Sequence, residues 1–117
     1  MSASTPTYDG RRPWEHELPD ALELRLVPGS PPRLVVVGEV DLATCARFER
    51  GVADACRSSD RLVVDLTGLT FISSAGIGTL YRHSEKLSSV LVAETSLILR
   101  ALGYAGFTGL VPVIPAG

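Results

Sequence analysis

Asparagine and glutamine are absent from the 117 residues, and Lys86 is the single lysine beside ten arginines. This skew fits a biased codon composition and carries no mechanism. Other absences exclude whole classes of function. No apolar run extends beyond a few residues, as at 34–37, far below the roughly 18 that a membrane-spanning helix requires. The first residues lack a basic segment followed by an apolar core, so no secretory signal is expected, membrane insertion is not expected, and the cytoplasm is the default compartment. Eleven basic side chains against thirteen acidic ones leave a formal net charge of −2, without the concentrated basic patch that binding to nucleic acid needs. Cys45 and Cys56, the only cysteines, fall on one expected helix about 16 Å apart along its axis, too far to bridge.

Catalytic constellations are equally scarce. The only histidines are His16 and His83, and no Cys/His/carboxylate set has metal-ligand spacing. Neither GxGxxG nor GxxxxGK followed by serine or threonine occurs, so no phosphate cradle and no cofactor are expected. Ser74 lacks the glycine two positions earlier that a GxSxG nucleophile elbow carries, and no general base is in sight for it.

What is present describes one compact domain, 45% apolar and 21% charged, able to bury a core without disulfides or metal. Residues 1–20 combine small polar residues, Pro6, Pro13, Pro19 and the Arg11-Arg12 pair with no apolar periodicity, and are expected to form a flexible tail preceding the domain at 21–117. Trp14 there is either an edge anchor or a residue that docks on a partner. Leu22, Leu24 and Leu26 then alternate with Glu23, Arg25 and Val27, the period of a strand with one wet face. Pro28, Gly29, Ser30, Pro31 and Pro32 force a turn, and 34–37 is continuously apolar, as in a strand covered on both faces. Together they predict an antiparallel hairpin.

Leu42, Cys45, Phe48, Val52 and Ala55 recur at helical spacing, with Arg47, Glu49, Arg50, Asp54 and Arg57 facing outward. Residues 61–66 read as a buried strand and 67–70 as a turn. After Phe71 and Ile72, the Ser73-Ser74 pair opens a helix whose apolar face is Ile77, Leu80, Tyr81 and Leu87, and whose polar face is Thr79, Arg82, His83, Glu85 and Lys86. A short strand follows at 90–93, then a helix capped by Ser96 and ended near Gly106, then an edge element at 110–114 limited by Pro112. The predicted fold is α/β: a small, mixed, mostly parallel sheet with an N-terminal hairpin and about three packed helices.

A serine pair at a strand-to-helix turn meets free N–H groups and partial positive charge. It either caps the helix or accepts a phosphate there, where about −1.5 to −2 added charges would alter a docking surface without breaking the fold.

The segment VVDLTGLTFISSAGIGTL at 63–80 resembles the hallmark of the STAS domain, specifically of anti-sigma factor antagonists. VVVGEVDLATCARFERGV at 35–52 is similar to that family's strand ending in glycine, glutamate, an aliphatic residue and aspartate. ILRALGYAGF at 98–107 is a weaker match to its late helix. The resemblance implies a function without catalysis: binding an anti-sigma factor that is also a serine kinase, so that a sigma factor is released, with phosphorylation at Ser74 reversed by a phosphatase. It implies that Asp41 lies near the acceptor on the recognition surface. The chain departs from the pattern at Ser73, where the family has aspartate, at Ala75, and in a second helix shorter by about one turn.

The expected docking face comprises Glu39, Asp41, Thr44, Ser73, Ser74 and the exposed side of the helix at 76–87, with Gly76, Thr79, Arg82 and His83. The competing reading is a STAS scaffold subunit of a transporter or sensor assembly that is never phosphorylated, favoured by Ser73. The third is an enzyme with Ser74 as nucleophile.

Overall fold

The computed structural model describes residues 21–116. The expectations for the segment 1–20, including Trp14, lie outside the described residues. Five strands form one sheet in the order β1 (Leu22–Val27), β2 (Arg33–Val40), β3 (Leu62–Ile72), β4 (Leu87–Val92) and β5 (Val113–Pro115). The β1/β2 pair is antiparallel and every other pair is parallel. Helix α1 (Cys45–Arg57) connects β2 to β3, α2 (Ser74–Arg82) connects β3 to β4, and α3 (Leu97–Tyr104) connects β4 to β5. The mixed sheet, its hairpin and its three helices agree with the architecture expected from the apolar periodicity.

All three helices feed one apolar cluster. Phe48 and Val52 from α1, Leu80 from α2 and Leu102 from α3 meet Leu22, Val36, Leu62, Val64, Leu66, Val90 and Val92 of the sheet, each with no exposed surface. Residues between these on the strands alternate to the other face and stay half-exposed: Val35, Val63, Asp65 and Leu91. The expectation that 34–37 is covered on both faces is therefore corrected, since Val37 is 41% exposed. A run of valines fills the core face with every second side chain and leaves the rest on an open face.

The expected turn at 67–70 is also corrected, because β3 runs unbroken through it. Its register against β2 shifts between Val35/Val37 and again between Gly38/Glu39, so β3 carries one extra residue between Asp65 and Gly68 and another, Thr70, before Phe71, bulges within a long strand. Asp65 Oδ1 secures the first by accepting from the Thr67 N–H at 3.0 Å and from its hydroxyl at 2.7 Å. Gly38, with φ +114°, has to be glycine, since a Cβ there would lie 2.1 Å from the Ala21 carbonyl oxygen.

The second helix ends earlier than expected. Ser84–Lys86 form a 3-10 turn and Leu87 begins β4, so Glu85, Lys86 and Leu87 are not part of α2. Ser96 does cap α3, accepting from the Ile98 N–H at 2.9 Å, and Gly106 has φ +78° just beyond its end. Cys45 and Cys56 are both free thiols at opposite ends of α1.

Candidate functional site

The C-terminal ends of β2 and β3 lie side by side, with Glu39 opposite Phe71 and Val40 opposite Ile72. The Ser73 N–H donates to the Val40 carbonyl at 2.8 Å, which ties the loop before α2 to the loop before α1. The two segments that carry Glu39, Asp41, Ser73 and Ser74 thereby share one rim of the sheet.

Asp41 organises its loop. Its Oδ1 accepts from the N–H groups of Ala43 and Thr44, each at 3.0 Å, and its own N–H donates to Thr44 Oγ1 at 2.9 Å. The Thr44 hydroxyl reaches both the Glu39 carbonyl at 2.8 Å and Asp41 Oδ1 at 3.1 Å. Thr44 is buried, and its hydroxyl holds the turn rather than facing a partner. Asp41 is half-buried and Glu39 exposed, so the outward charge of this loop comes from the two carboxylates.

Ser73 and Ser74 differ in what they do in the fold. Ser73 is the N-cap of α2, with Oγ accepting from the Gly76 N–H at 3.2 Å. Ser74 is the first helical residue and is exposed, and its hydroxyl makes no hydrogen bond to any other described residue. Gly76, expected on the docking face, is buried. A Cβ there would approach Val40 Cγ1 to 2.7 Å and Ile72 Cγ1 to 2.8 Å, so glycine is what lets the first turn of α2 sit on the sheet.

The remaining expected docking residues converge on a carboxylate that periodicity had placed in solvent. Glu49, on α1, accepts from the Thr79 hydroxyl at 2.9 Å, from Arg82 and from His83 Nε2 at 2.8 Å. Burial alone would raise the Glu49 pKa, but the hydrogen bonds from His83, Arg82 and Thr79 and the charge of Arg82 outweigh it and hold it down at about 2. Thr79 is 1% exposed, which corrects its place on the polar face of α2. His83 is half-buried, whereas Arg82 keeps 60% of its side chain exposed. The face of α2 toward α1 is thus closed by a polar clamp. On its other side, the Tyr81 hydroxyl donates to the Ala105 carbonyl and the Tyr81 ring meets Phe107 edge-on at 5.4 Å.

Sequence reasoning missed Glu49, because nothing in a helical pattern links position 49 to positions 79, 82 and 83. It also missed an apolar flank. Phe71 and Leu97, 49% and 71% exposed, border a cleft of about 190 Å3 between β3 and α3 that is lined by Thr70, Ile72, Ile98 and Ala101. These two side chains give the rim an apolar border. Chemically, the rim offers an unengaged hydroxyl at a helix N-terminus, two carboxylates and an apolar border. No helix among the described residues is long and apolar enough to cross a membrane, and no His, Cys, Asp and Glu group there could hold a metal ion.

A family model described as Mlab, STAS domain, matches residues 27–112. Among solved structures, an anti-sigma factor antagonist from Mycobacterium paratuberculosis superposes with a TM-score of 0.75 at 24% identity, covering 85% of this chain and 90% of its own. The anti-sigma factor antagonist SpoIIAA in its unphosphorylated form superposes with a TM-score of 0.57 at 16% identity, covering 83% of this chain and 90% of its own. Among proteins of curated function, none matches the sequence.

Proposed function

The chain belongs to the STAS domain family, and on that premise we propose that it is an anti-sigma factor antagonist: a binding protein that captures an anti-sigma factor with serine kinase activity and so frees a sigma factor. The observation that carries this reading is the exposed Ser74 hydroxyl at the first position of α2, which is unengaged among the described residues and lies on the same rim as Glu39 and Asp41. The likeness of the fold to two anti-sigma factor antagonists supports it.

In this mechanism the rim docks on the partner while its serine hydroxyls are neutral, with Phe71 and Leu97 adding apolar contact. Transfer of a phosphoryl group from ATP to Ser74 then adds about −1.5 to −2 charges. The backbone N–H groups of the first turn of α2 tolerate that charge, so the fold persists. Across the interface, however, the dianion adds a desolvation penalty and like-charge repulsion with acidic groups of the partner. A few kcal/mol suffices to release the partner, since each 1.4 kcal/mol is a tenfold change in affinity. A phosphatase restores the docking form. Because Ser73 already caps the helix through its own hydroxyl, Ser74 is available as acceptor although the family's aspartate is missing.

The test is to isolate the partner from native cells, incubate it with this protein and ATP, and read the intact mass. One added phosphate that disappears in Ser74→Ala and persists in Ser73→Ala is expected. A stably captured partner that adds no phosphate favours the second reading, a scaffold subunit of a transporter or sensor assembly. That reading is supported by Ser73 in place of aspartate.

A further inference from the structure

The two edges of the sheet are built differently. At one edge β5 has three residues, with Pro112 just before it and Pro115 within it, and proline cannot donate to an added strand. At the other edge β1 is six residues long, LELRLV, without proline, lysine, glycine or a register shift against β2. Among the described residues β1 pairs only with β2, so its outer row of backbone N–H and C=O groups has no strand partner there. An open groove of about 530 Å3 follows this strand, lined by Leu24, Arg25, Val37 and, from α1, Arg47. An edge of this kind is a template for another strand.

The side chains specify which strand. We propose that β1 joins two copies of this chain, pairing antiparallel with itself about a two-fold axis at Leu24 and so continuing the sheet across the dimer. With the axis there, Glu23 of each copy lies opposite Arg25 of the other, and the opposite-charge contact occurs twice. Leu24 meets Leu24 and Leu22 meets Leu26 on the helix-covered side, and Leu26, 44% exposed in the single chain, gains cover. The neighbouring symmetric registers are penalised: an axis at Glu23 sets glutamate against glutamate, and one at Arg25 sets arginine against arginine. A slip of one residue sets the leucine row against the charged row. One register therefore satisfies both faces. The rim with Ser74 takes no residue from β1, although the chain just before β1 borders it, the Ala21 carbonyl accepting from the Glu39 N–H at 2.7 Å, and the inference does not depend on the proposed function.

The experiment is sedimentation velocity on the full chain from micromolar to near-millimolar concentration, with Glu23→Arg, Arg25→Glu and the double variant. Both residues are exposed, and circular dichroism melting checks that each variant remains folded. The wild type is expected to dimerise. Each single reversal places two like-charge pairs in the interface and weakens the dimer about tenfold. The double variant exchanges the charges and restores it. An equimolar mixture of the two single variants forms a mixed dimer in preference to either homodimer, read by native mass spectrometry. A wild type that stays monomeric throughout, with residues 1–20 or another protein covering the edge, overturns the proposal. So does a dimer that is indifferent to the charge reversals.

Discussion

Glu49 Oε2 and His83 Nε2 are 2.8 Å apart, joining the second turn of α1 to the end of α2 across 34 residues of sequence. With Thr79 and Arg82 bonded to the same carboxylate, this contact fixes the angle at which α2 presents Ser74. The clamp and the candidate acceptor sit at opposite ends of one nine-residue helix.

The clamp gives the protein an acid-sensitive component of stability. Glu49 has its folded pKa lowered to about 2 from 4.5, so in between the unfolded chain binds the extra proton. The contribution is present in full above pH 4.5 and is lost as pH falls toward 2. Because the Glu49 side chain is 32% exposed, solvent screening limits it to about 1–2 kcal/mol. Glu49→Gln is expected to lose this amount at pH 7 and to show a flatter stability profile between pH 5 and 2 in urea titrations. Equal slopes for the two proteins would contradict the assignment.

The serines are expected to separate by experiment. Ser73→Ala removes the acceptor for the Gly76 N–H and should cost about 1 kcal/mol of folding stability. Ser74→Ala removes an exposed, unengaged hydroxyl and should stay within about 0.5 kcal/mol of wild type. Chemical denaturation of both variants checks that Ser73, and not Ser74, is the cap.

Two glycines of α2 should respond with opposite signs. Gly76→Ala drives a methyl group into Val40 and Ile72 and is expected to destabilise by about 1–3 kcal/mol. Gly78→Ala meets only the movable end of Arg82 at 3.4 Å and should gain about 0.5–1 kcal/mol from helix propensity. Thermal unfolding monitored by circular dichroism distinguishes them.

Thr44→Val keeps the shape of the side chain but removes the hydroxyl that serves the Asp41 N–H and the Glu39 carbonyl. Leaving these groups unsatisfied in a buried turn is expected to cost about 1–3 kcal/mol. Faster hydrogen exchange at Asp41 and Thr44, with the helices unaffected, is the local signature to measure.

Much of this architecture is legible in the residues. Leu22, Leu24 and Leu26 alternating with Glu23, Arg25 and Val27 specify β1, and the Pro-rich turn that follows makes the antiparallel pairing with β2 the short solution. Ser96 and Gly106 punctuate α3 because capping and left-handed backbone are local needs. The GEVD and ISSAG segments place Asp41 and Ser74 at strand ends, and strand ends in a sheet of this topology form a rim. Those features depend on near neighbours in the chain, so a sequence contains them.

Other features were decided only when distant segments met. Gly68 and Thr70 have the composition of a turn, yet β2 pairs with β3 from Val63 to Ile72 and so carries it through them, with two register shifts, as one strand. Val35 and Val37 look as buried as Val36, but with all three helices on one face they border solvent. Thr79 and Glu49 each lie on the polar side of an amphipathic pattern, and the close packing of α1 against α2 turns both inward to satisfy each other. Periodicity tells which side chains avoid water. Which polar groups find one another, and so which hydroxyls are left available on the rim, is settled by contacts between residues some thirty positions apart, and those exist only in the folded chain.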